Sequence, residues 1–63
     1  MKDYQQRVVK EKAELDEKLE KLGAFLKGGA ASVDPEERAR MSFQHLVMAA
    51  YSNVLTERIA AFK

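Results

Sequence analysis

The chain has 63 residues, with eleven Lys and Arg, ten Asp and Glu, one His and no Cys. One domain shorter than about 70 to 80 residues rarely gains more than a few kcal/mol from its own core, and without cysteine neither a disulfide framework nor a Cys-based zinc site can add to it. The net charge of +1 argues against a duplex nucleic-acid partner held by counterion release, and no apolar run reaches the roughly 20 residues of a membrane span.

The first predicted element covers residues 3–27. Val8, Leu15, Leu19, Leu22 and Leu26 fall on one narrow stripe, joined by Tyr4, and most other positions are charged, which is the pattern of an amphipathic helix. Asp3 is the expected N-cap. Glu14 to Lys18 and Glu17 to Lys21 have the spacing and polarity of favourable helical ion pairs. Lys27-Gly28-Gly29 is the expected stop, since glycine readily takes the left-handed conformation that ends helices. The stretch from Met1 to Lys12 is too charged for a secretory signal, so a soluble, intracellular location is expected.

Residues 28–33 read as a short connection of the length used between antiparallel helices. Asp34-Pro35-Glu36-Glu37 then reads as a helix start, with Asp34 as N-cap, Pro35 in the first helical position and two acids against the positive end of the dipole. The second helix is predicted over 34–62, with no internal Gly or Pro. Met41, Met48, Leu55, Ile59 and Phe62, with Tyr51 beside them, form one apolar stripe. Phe43, Leu46, Val47, Ala50, Val54 and Ala61 form a second. Arg38, Ser42, His45, Ser52, Asn53 and Thr56 make a polar strip, while Arg40, Gln44 and Arg58 sit near the seam between the stripes. The expected fold is all-α: a single domain over 1–63, an antiparallel helical hairpin with helices of roughly 36 and 42 Å. One helix can cover only one of the two stripes, so self-association into a closed homo-oligomer is expected.

Catalytic constellations are thin. His45 stands alone without a cysteine nucleophile, the carboxylates alternate with lysines as on a solvated face, and there is no phosphate-binding loop. No enzyme activity, cofactor or metal site is expected. Binding fits better. Tyr4, Arg7, Lys18 and Lys21 share one flank of the first helix, and Tyr51 and Arg58 share a face of the second. Aromatic rings stack on bases and cations meet phosphates, although packing of Tyr4 at the helix end beside solvated cations would give the same pattern. Arg58, between apolar stripes, needs an anion when an assembly buries it, either Glu57 of a neighbour or a ligand phosphate.

The segments Tyr4-Gln5-Gln6-Arg7-Val8-Val9-Lys10-Glu11-Lys12-Ala13-Glu14-Leu15-Asp16-Glu17-Lys18, Lys21-Leu22-Gly23-Ala24-Phe25 and Tyr51-Ser52-Asn53-Val54-Leu55-Thr56-Glu57-Arg58-Ile59-Ala60-Ala61-Phe62 resemble a family of small bacteriophage helical proteins that includes the anti-CBASS cyclic-oligonucleotide sponges. The resemblance covers nearly the whole chain apart from the connection and the start of the second helix. It implies a compact hexamer that holds cyclic dinucleotides such as 3′,3′-cGAMP between protomers, and cyclic trinucleotides at separate sites, without cleaving them. It also implies action in the cytoplasm of the infected bacterial host, where sequestration starves CBASS effectors of their signal. By this resemblance Tyr4 is the base-stacking aromatic and Lys18 the phosphate-contacting lysine, with Lys12 and Lys21 near it in sequence. Arg7, Tyr51 and Arg58 join the ligand-binding set on physical grounds. The alternative is a structural or adaptor protein that binds a phage or host protein through its second stripe.

Overall fold

The computed structural model describes residues 1–63. Helix α1 spans Asp3–Gly28, a short 3-10 turn spans Ala30–Ser32, and helix α2 spans Pro35–Ala60. The two helices pack antiparallel into a rod of 46 × 14 × 14 Å. No helix is long and apolar enough to cross a membrane.

The helix starts and stops follow from local chemistry, with three departures from expectation. Lys2, not Asp3, is the N-cap of α1. Asp3 lies inside the first turn, and the side chain of Gln5 reaches back to accept from the Lys2 backbone N–H at 3.0 Å. At the other end no glycine has positive φ. The Gly29 N–H still donates to the Phe25 carbonyl at 2.8 Å, and the chain tightens directly into the 3-10 turn, so a left-handed stop is not needed. The space at Gly29 is tight instead: a Cβ there would lie 2.9 Å from the Phe25 ring, which would have to shift. At the start of α2, Asp34 is the N-cap with Pro35 in the first position and Glu36 and Glu37 in the first turn. Here the acids favour the helix through its dipole, because Asp34 makes no side-chain capping bond. Along α1 the Glu17–Lys21 pair forms at 3.0 Å. Glu14 is engaged by Lys10 at 3.9 Å, not by Lys18.

The helix interface uses the first stripe of α2. Met41, Met48, Leu55, Ile59 and Phe62 turn toward Val8, Leu15, Leu19, Leu22 and Leu26 of α1, and all are at least half-buried. The core they make is thin. Only Gln5, Val8, Ala30, Ser52 and Leu55 are buried, and Leu55 alone is completely enclosed. The second stripe is bare: Phe43 is 66% exposed, Leu46 64%, Val47 51% and Val54 50%. A small domain stabilises itself by burying apolar surface, and this hairpin leaves much of its largest apolar surface in water.

The interface is more polar than the apolar pattern suggests. Ser52 and His45, expected on a solvated strip, both turn inward. Lys12 Nζ donates to Ser52 Oγ at 2.9 Å and to Asp16 Oδ2 at 2.7 Å. Ser52 Oγ in turn donates to Asp16 Oδ1 at 2.5 Å, closing a ring of three side chains across the helices. The Lys12 and Ser52 bonds hold the Asp16 carboxyl below its ordinary value of 3.8. His45 packs on Gly23, where a Cβ would come within 3.0 Å of its Nε2. These polar residues are inward because they continue the seven-residue rows of the seam: Gln5 and Lys12 precede Leu19 and Leu26, while Arg38, His45 and Ser52 precede Ile59. Position on the helix, and not polarity, decides which residues face the partner.

Candidate ligand-binding site

Tyr4, Glu11 and Lys18 recur every seven residues along α1, and Arg7 lies within one turn of both Tyr4 and Glu11. Gln44, Tyr51 and Arg58 form the corresponding row on α2. One hydrogen bond joins the two rows: the Tyr51 hydroxyl donates to Glu11 Oε2. The rows therefore lie along the same edge of the hairpin, and the antiparallel register sets their order from the termini towards the tip. Tyr4 meets Phe62 edge-to-face, with ring centroids 5.8 Å apart. Arg7 then lies level with Arg58, Glu11 with Tyr51, and Lys18 with the turn carrying Gln44. All five residues assigned to ligand binding, Tyr4, Arg7, Lys18, Tyr51 and Arg58, are exposed side chains of this edge.

The edge is electrostatically open. Lys10, Lys12, Lys21 and Arg40 each have a carboxylate within 4 Å, whereas Arg7, Lys18 and Arg58 have none. Among the helix-1 lysines weighed for a phosphate contact, Lys12 is committed to Ser52 and Asp16 and Lys21 to Glu17. Lys18 is the unpaired one. Glu11 is the only carboxylate pinned to the edge. Its hydrogen bond raises the Tyr51 phenol above its ordinary value of 10.0, with burial adding to the rise and the Arg58 charge opposing it. Arg7 also borders a shallow groove with Asp3, Gln6 and Lys10.

The sequence pattern did not single out Glu11, because its role depends on the register between helices. It also gave no weight to Arg38, whose Nε is shut off from solvent without a hydrogen-bond partner. No group of three or more His, Cys, Asp or Glu side chains is arranged to hold a metal ion.

The molecule is thus a two-helix hairpin that displays rings and unpaired cations on one edge and a bare apolar stripe on the back of α2. Residues 2–61 match the Sequestin family model, and the chain belongs to the Sequestin family. The family name denotes sequestration of a ligand, which is consistent with the resemblance to the anti-CBASS sponges. No curated protein and no solved structure matches the chain.

Proposed function

We propose that this protein is a phage anti-defence sponge that binds cyclic dinucleotides such as 3′,3′-cGAMP without altering them, within a homo-oligomer in the host cytoplasm. Membership of the Sequestin family over residues 2–61 carries the reading. The edge supports it chemically. A cyclic dinucleotide presents two base faces and two phosphates, and this edge offers Tyr4 and Tyr51 for stacking with Arg7, Lys18 and Arg58 for the anions. The exposure of these side chains also supports an assembly, because a small ligand is held tightly only where most of its surface is covered. A second protomer seated on the bare stripe of α2 would supply the opposing wall. No catalytic role is assigned to any residue: sequestration needs affinity and a slow off-rate, and neither requires bond cleavage.

The deciding experiment is calorimetric titration with 3′,3′-cGAMP, followed by denaturation of the complex and chromatography of the released nucleotide. Tight binding with intact release is expected, and Tyr4→Ala should lose the ligand while keeping the wild-type oligomeric mass. Absence of binding across a panel of cyclic di- and trinucleotides would overturn the reading. The exposure of Phe43, Leu46, Val47 and Val54 also suits a second reading, an adaptor that docks a phage or host protein. In that case nucleotides would have no effect and the stripe would be covered by the partner.

A further inference from the structure

We propose that Phe62 is a positioning residue of the candidate site: its ring braces Tyr4, so that the stacking face stands ready on the edge before a ligand arrives. The inference rests on the sponge reading and deepens it, by naming what holds the ring that the ligand uses.

Tyr4 lies in the first turn of α1, which begins at Asp3. A first turn frays unless another part of the chain ties it down. The Tyr4 ring meets that of Phe62 with centroids 5.8 Å apart and planes at 80°, an edge-to-face arrangement that two aromatic rings favour. Rings at right angles leave stacking surface free: whichever ring presents its edge, at least one face of Tyr4 stays clear of Phe62. The residue keeps 47% of its surface exposed, and a nucleobase can stack on that clear face.

Phe62 is fixed from the other side. It follows the end of α2, where its N–H donates to the Ile59 carbonyl at 3.1 Å, and it is half-buried. The buried side chain of Gln5 joins the two segments: it accepts from the Lys2 N–H at 3.0 Å and donates to the Lys63 carbonyl at 3.4 Å. The start of α1 is thereby tied to the stretch that carries Phe62. Packing of the seam does not by itself ask for a ring here. The row that ends at Phe62 is otherwise filled by Met41, Met48 and Leu55, and an apolar seam takes Leu or Met as readily. An edge-to-face partner for Tyr4 must be aromatic. The one ring in the row stands where Tyr4 meets it. Bracing matters for affinity, because a side chain that must be ordered on binding weakens the complex by roughly two- to tenfold.

The test compares the intact wild-type protein with Phe62→Leu, which keeps apolar bulk, and Phe62→Tyr, which keeps the ring, in calorimetric titrations with 3′,3′-cGAMP at several salt concentrations. Phe62→Leu should bind roughly two- to tenfold more weakly at the wild-type oligomeric mass, and Phe62→Tyr should bind as wild type does. Salt separates bracing from a general disturbance of the edge, because it screens the attraction of cations for phosphate and not the stacking of rings. Affinity should therefore fall with salt at the same slope in Phe62→Leu and wild type. Unchanged affinity in Phe62→Leu, an equal loss in Phe62→Tyr or an altered salt slope overturns the proposal and leaves the sponge reading standing. If Phe62→Leu fails to fold or assemble, NMR of the wild-type protein decides: nuclear Overhauser contacts between the Tyr4 and Phe62 rings are expected in the free protein and in the complex, and their absence from either overturns the proposal. A wild-type protein that binds no cyclic dinucleotide overturns this inference and the sponge reading together.

Discussion

Phe43→Glu places a charge on the most exposed large side chain of the bare stripe and tests whether that stripe is an interface. Fully burying a Val, Leu or Phe side chain stabilises by about 1.5 to 3 kcal/mol relative to leaving it in water. Phe43, Leu46, Val47 and Val54 are each half to two-thirds exposed, so covering them would add roughly 3 to 7 kcal/mol per protomer. That is as large as the whole stability expected of a domain of this size. Within an isolated hairpin the substitution should be nearly silent: the site is on the surface, and Glu is a slightly better helix former than Phe. Within an assembly it must bury an unpaired carboxylate, which disrupts the contact. The expected wild-type behaviour is a sedimentation mass that is a multiple of 7.1 kDa, with a thermal midpoint that rises with protein concentration. The expected variant mass is that of one chain, with a lower midpoint that no longer depends on concentration. A wild-type protein that sediments as a single chain, or a Phe43→Glu variant with unchanged mass and midpoint, would refute the argument that the thin core is completed by other copies.

Leu55 is the only completely enclosed side chain, so Leu55→Ala should cost about 2 to 5 kcal/mol and leave little folded protein in a urea titration; a loss below 1 kcal/mol would mean that the seam is not the core. Ser52→Ala removes the hydroxyl that joins Lys12 to Asp16 and should cost about 1 kcal/mol. Because the Asp16 pKa is lowered from 3.8, the stability gained from its bonds is complete above that value and is lost as the pH falls through the lower folded value. The loss on acidification should therefore be smaller in Ser52→Ala than in wild type, and an equal loss in both would refute the assignment. The Tyr51 phenol works in the opposite direction: with its pKa raised above 10.0, its contribution is complete below that value and is lost as the pH rises through the folded value. Tyr51 should titrate late by ultraviolet absorbance, and Glu11→Gln should bring it back towards 10.0; a Tyr51 titration unchanged by Glu11→Gln would exclude the Glu11 bond in solution.

The hairpin and its two stripes were legible because apolar side chains repeat at helical spacing, and the start of α2 was legible because Asp34-Pro35-Glu36-Glu37 has an unambiguous chemistry. The polar half of the seam was not. Lys12, Asp16, His45 and Ser52 carry no hydrophobic signal, and their inward position becomes visible only when the rows of Leu19 and Leu26, and of Ile59, are continued backwards through polar residues. Glycine misled in a different way: Gly29 marks the end of α1 without a left-handed φ, and what crowds it is the Phe25 ring above it, a contact between side chain and backbone that spacing alone does not specify. The candidate edge was legible in composition but not in arrangement. Tyr4, Arg7 and Lys18 share a flank by their numbers; that Tyr51 and Arg58 lie on the same edge depends on helix register, which the Tyr51–Glu11 bond reports.

The polarity of the seam also bears on how one short chain can keep two apolar stripes apart. If both sides of α2 were purely apolar, α1 could pack on either, and several hairpins and assemblies would compete. The Lys12–Ser52–Asp16 ring and the His45–Gly23 contact exist only when α1 lies on the stripe of Met41, Met48 and Leu55 in one register. A slip by one turn would leave Lys12 and Asp16 without Ser52 and would drive His45 against a residue that, unlike Gly23, has a Cβ. Such partners contribute little net stability, but they penalise the alternatives. The hairpin thereby commits the stripe that carries polar partners to itself and reserves the purely apolar one. The unpaired cations follow the same division, because Lys12 is spent on the fold while Arg7, Lys18 and Arg58 are left on the edge beside the surface that a second copy would cover.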